Sequence, residues 1–583
     1  MNKNQNKSKY SRFDRSVFFK IALYGLGFVF VVQLFNIQIL KHDFYAKEAL
    51  AEHVKKFEIP AKRGIIYAND GYQKVPLVLN EDKYIVYADP KFITDSSVAS
   101  EKLVAIMGGD VKVVKEQLNK NSRYVILAKK INKDVADRIK DLKIKGVGVE
   151  EVSVRTYPQG QLASHVLGFV NDEGKGQYGV ESYLNDKLAG KSGQKNEITD
   201  VNGTPLAINN DIAKANNPSP GEDIELTIDL RLQQIVENQL KEAVSRTSSQ
   251  KGSVVIIDPN NGQIKAMANY PTYNPADYAK TEDLSVFTNT AISGAWEPGS
   301  VMKPLTMSAS FNEGKLSRQN SYYDAGFVKA GDTTIKNAVE FGARTMTIDE
   351  VITKSLNTGA VYLYKSLGDG NYNEKARNSW YDYLTNHYMF NKVTGIELAN
   401  EQPGFVKAPK DDGEGIDVTY ANMAFGQGLT VTPLQLASAY SALTNGGTYY
   451  KPTIIKSTAA SDAEFVNKQA EVVKSDVISK PISEDIKDLL HKSLLINNKK
   501  ADRVGYLLGA KSGTAQVSDG AGRYKENAYN GAYVGYLEGK KLEYVVVTRM
   551  DEPKTSGFAS FQAGILWADI TNEIIDSVAI EPR

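Results

Sequence analysis

The chain contains no cysteine. That absence removes disulfides, thiolate metal sites and a thiol nucleophile together, and it leaves the redox compartment undecided. Histidine is scarce, with five in 583 residues, and no pair stands at a metal-ligand spacing such as H-E-x-x-H, which weighs against a zinc hydrolase. An excess of either charge is missing as well. Seventy Lys and Arg face 69 Asp and Glu, so no global field points to nucleic acid or to an anionic surface. Hydrolytic or acyl-transfer chemistry in this chain must rest on Ser, Thr, Lys or carboxylates.

One uncharged apolar run stands out. Ile21 to Leu40 (IALYGLGFVFVVQLFNIQIL) has the length of about twenty residues that a helix needs to cross a bilayer core. Gln33, Asn36 and Gln38 dilute its outer end and no small-residue cleavage site follows, so a retained anchor is expected rather than a removed signal peptide. The other reading is a buried core helix, which is seldom so uniformly apolar at an extreme N-terminus. Lys3, Lys7, Lys9, Arg12, Arg15 and Lys20 precede the run against Asp14 alone, a basic excess that keeps the N-terminus in the cytoplasm. The expected layout is a cytoplasmic basic tail over 1–16, a transmembrane helix over 17–41, and the rest of the chain on the extracytoplasmic side of the cell membrane.

A chain of this length should hold about two to four folding units. Residues 42–235 alternate short apolar runs with turns and charged helical stretches, such as the strand Lys83 to Ala88 and the helix Val135 to Leu142, and read as an α+β module without a catalytic constellation. Asn185 to Pro218, rich in Asn, Asp, Lys and Gly, reads as connector. A helix with apolar positions at Leu232, Ile235, Val236 and Leu240 leads into a hairpin, Gly252 to Asp258 and Gln263 to Ala268 around Pro259-Asn-Asn-Gly262. A second hairpin, Ala532 to Leu537 and Leu542 to Val547, precedes a last helix over Gln562 to Val578. Strands at both ends with helices between them predict one sheet built from sequence-distant pieces, an α+β or three-layer architecture over 236–583.

The chemistry lies in a pattern, Ser-x-x-Lys, that sets an amine beside a hydroxyl on one helix face. It occurs at Ser192/Lys195, Ser248/Lys251 and Ser300/Lys303, so spacing alone does not choose. Context does. Trp296-Glu-Pro-Gly-Ser300-Val-Met-Lys303-Pro304 puts a Pro-Gly turn before the serine and a proline where only a first helical turn tolerates one. Ser300 is thus predicted at a helix N-terminus, where free N–H groups favour a developing oxyanion. Ser355-Leu-Asn357 follows at a predicted helix–loop junction and offers a relay hydroxyl and an amide that donates and accepts. Lys511-Ser512-Gly513-Thr514 lies in the strand-like run Tyr506 to Val517, where Gly513 would admit a substrate backbone and the other three offer a cation and two hydroxyls to a carboxylate. Singly, each has a bland explanation: Ser300 as a helix cap, Ser355 and Asn357 as turn residues, Lys511 as a surface charge.

In that order, Ser-x-x-Lys, Ser-x-Asn and Lys-Ser-Gly resemble the motif set of penicillin-binding proteins and β-lactamases. The chain is similar to the class B penicillin-binding proteins over most of its length, including Arg63-Gly64-Ile-Ile66, Tyr157-Pro158, His165-Val-Leu-Gly-Phe169, Gly179-Val-Glu-Ser182, Gly426-Gln-Gly-Leu-Thr-Val-Thr-Pro433 and Asp551-Glu-Pro553. No glycosyltransferase module stands between anchor and pedestal, and no repeat-like tail follows. Glu297-Pro-Gly-Ser300 and the short pedestal look more like the division-type branch, while Ser512 departs from the more frequent threonine. The resemblance implies a membrane anchor, a pedestal (dimerisation-type) domain over 42–235 and a penicillin-binding, serine β-lactamase-like transpeptidase domain over 236–583. It implies Ser300 as nucleophile, Lys303 as its base, Ser355 as proton relay, and Asn357 as holder of the stem-peptide amide. Lys511, Ser512 and Thr514 would bind the terminal carboxylate, and the N–H groups of Ser300 and Thr514 would form the oxyanion hole.

The implied substrates are peptidoglycan stem peptides, a D-Ala-D-Ala donor and an amine acceptor, with β-lactams as inhibitors, no cofactor and no nucleic acid. A membrane-embedded glycan polymerase and division proteins are the implied partners. Two other readings share these residues. A D,D-carboxypeptidase or β-lactamase would use the same acylation step, and Glu397-Leu-Ala-Asn400 superficially matches a deacylating Glu-x-x-Asn, although Leu356 stands where those β-lactamases carry aspartate. A non-catalytic wall-assembly scaffold or β-lactam sensor would need only the anchor, the pedestal and a binding cleft.

Overall fold

The uncharged run near the N-terminus is helical in the computed structural model, which describes residues 15–45, 54–198, 216–410, 415–461, 463–518, 523–541, 543–554, 557–578 and 580–583. Lys3, Lys7, Lys9, Arg12 and the middle of the Asn185 to Pro218 connector lie outside the described residues. Helix Arg15–Phe35 continues into a π-helical turn, Asn36–Leu40, and no residue of the apolar stretch Ser16–Leu40 is buried within the protein. It is long and apolar enough to cross a bilayer.

The chain divides into two units. The described part of the smaller one comprises this helix and a two-stranded antiparallel ribbon, Val54–Ile59 with Gly193–Ile198. The larger unit, Lys62–Gly190 with Pro220–Arg583, contains two principal sheets.

The first is fully antiparallel, in the order Ile264–Tyr270, Lys251–Ile257, Glu543–Asp551, Tyr524–Glu538, Leu507–Ser518. The two sequence-distant hairpins meet along Lys251–Ile257 and Glu543–Asp551, as the pattern predicts. The unbroken run Val254-Val-Ile-Ile257 explains its depth. Val254 and Ile256 pack beneath helices Leu230–Thr247 and Ala559–Ser577, while Val255 and Ile257 enter the larger core with helix Pro433–Thr444. Side chains alternate in direction along a strand, so a run apolar at every position is buried on both faces and makes the middle of three layers. Strand Leu507–Ser518 is one of the sheet's two edge strands, paired on one side only, with Tyr524–Glu538.

The second sheet has seven strands and draws from both sides of residue 235. Val466–Asn467, Ile455–Ala459, Asp223–Asp229, Ile66–Asn69, Lys74–Ala88 and Val125–Ile131 follow one another, and Val147–Thr156 also pairs with Lys74–Ala88. Ile66–Asn69 runs parallel to Asp223–Asp229. Helix Leu230–Thr247, capped by the Asp229 carboxylate on the Arg231 N–H at 3.0 Å, passes through position 235 without a break.

The motif pieces quoted for the pedestal converge on one buried carboxylate. Glu181 is inaccessible to solvent and accepts from Arg63 Nε at 2.7 Å and Arg155 Nε at 2.8 Å, while Arg155 Nη1 also donates to the Gly64 carbonyl at 2.8 Å. His165 is buried with Nε2 2.8 Å from the Val286 carbonyl oxygen, and desolvation pushes it down to about 4, so it stays neutral.

Candidate active site

Three glycines bring distant segments together. Gly299–Met302 forms a single 3-10 turn, and the α-helix Lys303–Asn312 follows with Pro304 in its first turn. Ser300 therefore sits one short turn ahead of the α-helical start predicted for it, because Pro298 and Gly299 shape the approach. In a 3-10 turn residues three apart eclipse, which keeps Ser300 and Lys303 on one side. Gly299 has φ +63°, and a Cβ on it would lie 2.6 Å from the Thr514 carbonyl oxygen. A Cβ on Gly513 would lie 2.6 Å from the Pro298 carbonyl oxygen, and one on Gly426 would lie 2.0 Å from that of Gly299. The Gly299 N–H donates to the Gly426 carbonyl at 2.9 Å. Backbone thus touches backbone at all three points. Gly513 thus permits the close approach of the chain's own Pro298–Ser300 turn.

Lys303 is fully buried, and its Nζ donates to the Ser355 carbonyl oxygen at 2.6 Å, to Ser355 Oγ at 3.2 Å and to Asn357 Oδ1 at 2.8 Å. Lys511, 1% exposed, donates to the same Ser355 Oγ at 3.0 Å and to Ser512 O and Oγ at 3.1 and 3.3 Å. Two amines and one hydroxyl therefore form a chain, Lys511, Ser355, Lys303. Ser355 lies between helices Ile348–Thr353 and Asn357–Ser366 with φ +57°, the left-handed conformation that folds its hydroxyl back between the lysines. Asn357 opens the second helix, and its Nδ2 donates to the Lys336 carbonyl at 2.9 Å.

Burial drives the electrostatics. Lys303 is held well below the ordinary lysine range, first by desolvation and then by the charge of Lys511, and desolvation pushes Lys511 down to about 7. A neutral Lys303 has a lone pair, and the Ser355 hydroxyl can donate to it while accepting from Lys511. The half-buried Ser300 hydroxyl makes no hydrogen bond to a described residue, so the amine expected to face it is engaged by Ser355 and Asn357 instead. Catalytic contacts of this kind tighten when substrate arrives.

Ser512 and Thr514 are half-buried on strand Leu507–Ser518 together with Lys511, and Thr514 Oγ1 accepts the Ser560 N–H at 3.4 Å. Two residues around the turn went unassigned in the sequence. Glu297 Oε1 accepts the Gly428 N–H at 2.9 Å, and its carboxylate accepts the Tyr524 hydroxyl at 3.0 Å, tying the turn to the Gly426–Gly428 loop and to strand Tyr524–Glu538. Asp551 holds Arg549 at 2.6 Å, and that guanidinium lies 4.6 Å from the Trp296 ring centre. Glu297 was legible only as part of the stretch preceding Ser300. Glu397 is occupied elsewhere: Thr453 Oγ1 and the Ile454 N–H donate to it at 3.1 and 3.0 Å, and it pairs with Lys468. Of the other Ser-x-x-Lys serines, Ser248 is an exposed helix C-cap and Ser192 is exposed.

A serine beside two buried amines, a Ser-x-Asn turn and a Lys-Ser-Gly edge strand define a serine acyltransferase site of the penicillin-recognising kind. The family model described as Penicillin binding protein transpeptidase domain matches residues 252–576, and that described as Penicillin-binding Protein dimerisation domain matches residues 58–226. The chain belongs to the class B penicillin-binding proteins. It is 31% identical over 530 residues to Stage V sporulation protein D of Bacillus subtilis, covering 90% of this chain and 79% of the relative. It is 27% identical over 558 residues to Peptidoglycan D,D-transpeptidase FtsI of Escherichia coli K12, covering 94% and 89%. The crystal structure of Penicillin Binding Protein 2X from Streptococcus thermophilus superposes with a TM-score of 0.72 at 25% identity, covering 90% of this chain and 80% of that one.

Proposed function

We propose that this chain is a membrane-anchored peptidoglycan D,D-transpeptidase that cross-links stem peptides through a Ser300 acyl-enzyme. The observation that carries the reading is the buried Lys511, Ser355, Lys303 chain next to the serine turn. Neutral Lys303 takes the Ser300 proton as Oγ attacks the penultimate D-Ala carbonyl. The C–N bond then breaks, and Ser355 passes the proton to the departing D-Ala nitrogen. An acceptor amine attacks the ester, loses its proton along the same chain and releases Ser300. Asn357 holds the donor amide, Lys511, Ser512 and Thr514 hold its carboxylate within reach of Gly513, and the Ser300 and Thr514 N–H groups receive the oxyanion. The free edge of strand Leu507–Ser518 offers main-chain pairing to an extended donor peptide.

The engagement of Glu397 with Lys468 and Thr453 supports transfer over β-lactamase-type deacylation. We also place the helix over 17–41 in the cell membrane with the basic tail over 1–16 inside, the pedestal and transpeptidase domains outside, and their division near 235 at helix Leu230–Thr247. Septal wall synthesis alongside a membrane-embedded glycan polymerase and division proteins is the setting that fits this layout, with β-lactams as pseudo-substrates. The test is covalent labelling of the full chain in detergent by a fluorescent penicillin. Wild type should label and hold the label for many minutes, and Ser300→Ala should not label. Rapid decay would assign a β-lactamase, and an unlabelled but folded wild type would sink the nucleophile.

A further inference from the structure

A polar cluster lies behind Asn357. Asp324, 2% exposed, ends the short strand Ser321–Asp324. Its Oδ2 accepts from Thr358 Oγ1 at 2.6 Å, Asn337 Nδ2 at 3.1 Å and the Tyr322 hydroxyl at 3.3 Å, and its Oδ1 accepts the Gly326 N–H at 2.8 Å. Among the described residues it pairs with no Lys or Arg. Asn337 in turn accepts, through Oδ1, the Thr358 N–H at 3.1 Å, and the neighbouring Lys336 carbonyl accepts Asn357 Nδ2 at 2.9 Å. Residues 336 and 337 thus grip residues 357 and 358 by two hydrogen bonds, and Asp324 grips both 337 and 358.

The direction of each amide follows from what a carboxylate can do. It only accepts, so Asn337 must turn Nδ2 to Asp324 and is left with Oδ1 for the Thr358 N–H. That bond holds the first turn of helix Asn357–Ser366 at the height where Asn357 Nδ2 meets the Lys336 carbonyl, which in turn leaves Asn357 Oδ1 facing Lys303. One acceptor-only group therefore propagates orientation through two amides to the amine beside Ser300. A neutral residue at 324 would let Asn337 flip and release that order.

We propose that Asp324, acting through Asn337, is a positioning residue that sets the amide of Asn357 toward Lys303. The proposal rests on the acyl-enzyme reading of Ser300. It predicts that Asp324→Asn in the full chain slows penicillin acylation roughly ten- to a hundredfold, as a misplaced catalytic group does. Asn337→Asp, which sets two carboxylates together, should do the same. The exchange Asp324→Asn with Asn337→Asp restores one carboxylate and one amide to the pair, and should return acylation to within about threefold of wild type. Loss of the Asn357 acceptor should also move the acid limb of the acylation pH profile, since Lys303 loses a partner for its charged form. A role confined to folding would lower the melting temperature without moving that limb. Asn337→Ala removes the relaying amide without introducing a charge and serves if Asp324→Asn does not fold; a wild-type rate there overturns the proposal. So does a wild-type rate in Asp324→Asn, or a loss that the exchange fails to restore. Ser300→Ala, run beside them, tests the acyl-enzyme reading separately.

Discussion

At the scale of single residues the site is defined by two lysines held where lysines are unfavourable. Unfolded lysine binds its proton up to about pH 10.4, whereas Lys511 in the fold releases it near 7, so between those values the unfolded chain binds more protons and stability rises with pH. Below about pH 7 the penalty of charging the buried amine is fully present. Lys511→Met is therefore expected to stabilise the protein by about 1–3 kcal/mol at pH 7. That advantage should shrink by up to about 1.4 kcal/mol per pH unit toward pH 10. Penicillin acylation should fall about a hundredfold or more with the cation gone. Denaturant unfolding at pH 7 and pH 9.5, with labelling at each, checks all three; an advantage independent of pH contradicts the linkage. Ser300, Lys303, Ser355, Asn357 and Lys511 could be named as candidates from the sequence because motif order survives without a fold. Their connection could not, since nothing in the sequence says that Ser355 takes the left-handed conformation and serves both amines.

At the scale of elements, periodicity carried the hairpins and the flanking helices, because alternating or unbroken apolar runs follow directly from which faces are buried. The contacts between elements were hidden. Three glycines spread over more than two hundred residues make backbone contacts that no local pattern announces, and the 3-10 turn at Gly299–Met302 replaces the simple helix start expected there. Gly299→Ala and Gly314→Ala separate fit from strain. Both glycines have positive φ, +63° and +62°, but a Cβ on Gly314 meets nothing within 4 Å. Each substitution should cost about 1–2 kcal/mol of backbone strain. Only Gly299→Ala should also slow acylation about a hundredfold, by pushing the serine turn off Thr514. Equal acylation in the two variants would remove the contact from the explanation.

At the scale of the whole molecule, the pedestal motifs and the catalytic motifs do different work. Arg63, Arg155 and Glu181 bond to one another and to neighbouring pedestal groups, and none of them shares a hydrogen bond or ion pair with Lys303, Ser355, Asn357 or Lys511. Glu181→Gln leaves two buried guanidinium groups short of a counter-charge and is expected to destabilise the fold by about 3–5 kcal/mol. Penicillin labelling per folded molecule should stay within about twofold of wild type, as independent sites add. Thermal unfolding and labelling of the same preparation decide it. The seven-stranded sheet was the part least legible in the sequence, because the segments before and after residue 235 were read as separate domains and parallel pairing of Ile66–Asn69 with Asp223–Asp229 leaves no local mark.

That sheet bears on how the chain can be dissected. A fragment starting at residue 236 would lack Asp223–Asp229, and strand Ile455–Ala459 would lose its neighbour along one side. Thr227 would no longer reach the carbonyls of Ile264 and Thr453, nor Glu225 the side chains of Lys456 and Ser457. An unpaired strand with apolar residues on one face is a template for self-association. Fragment boundaries for crystallisation or inhibitor screening therefore belong upstream of Lys62, where the sheet is whole, and a catalytic half made alone should be recovered as aggregate.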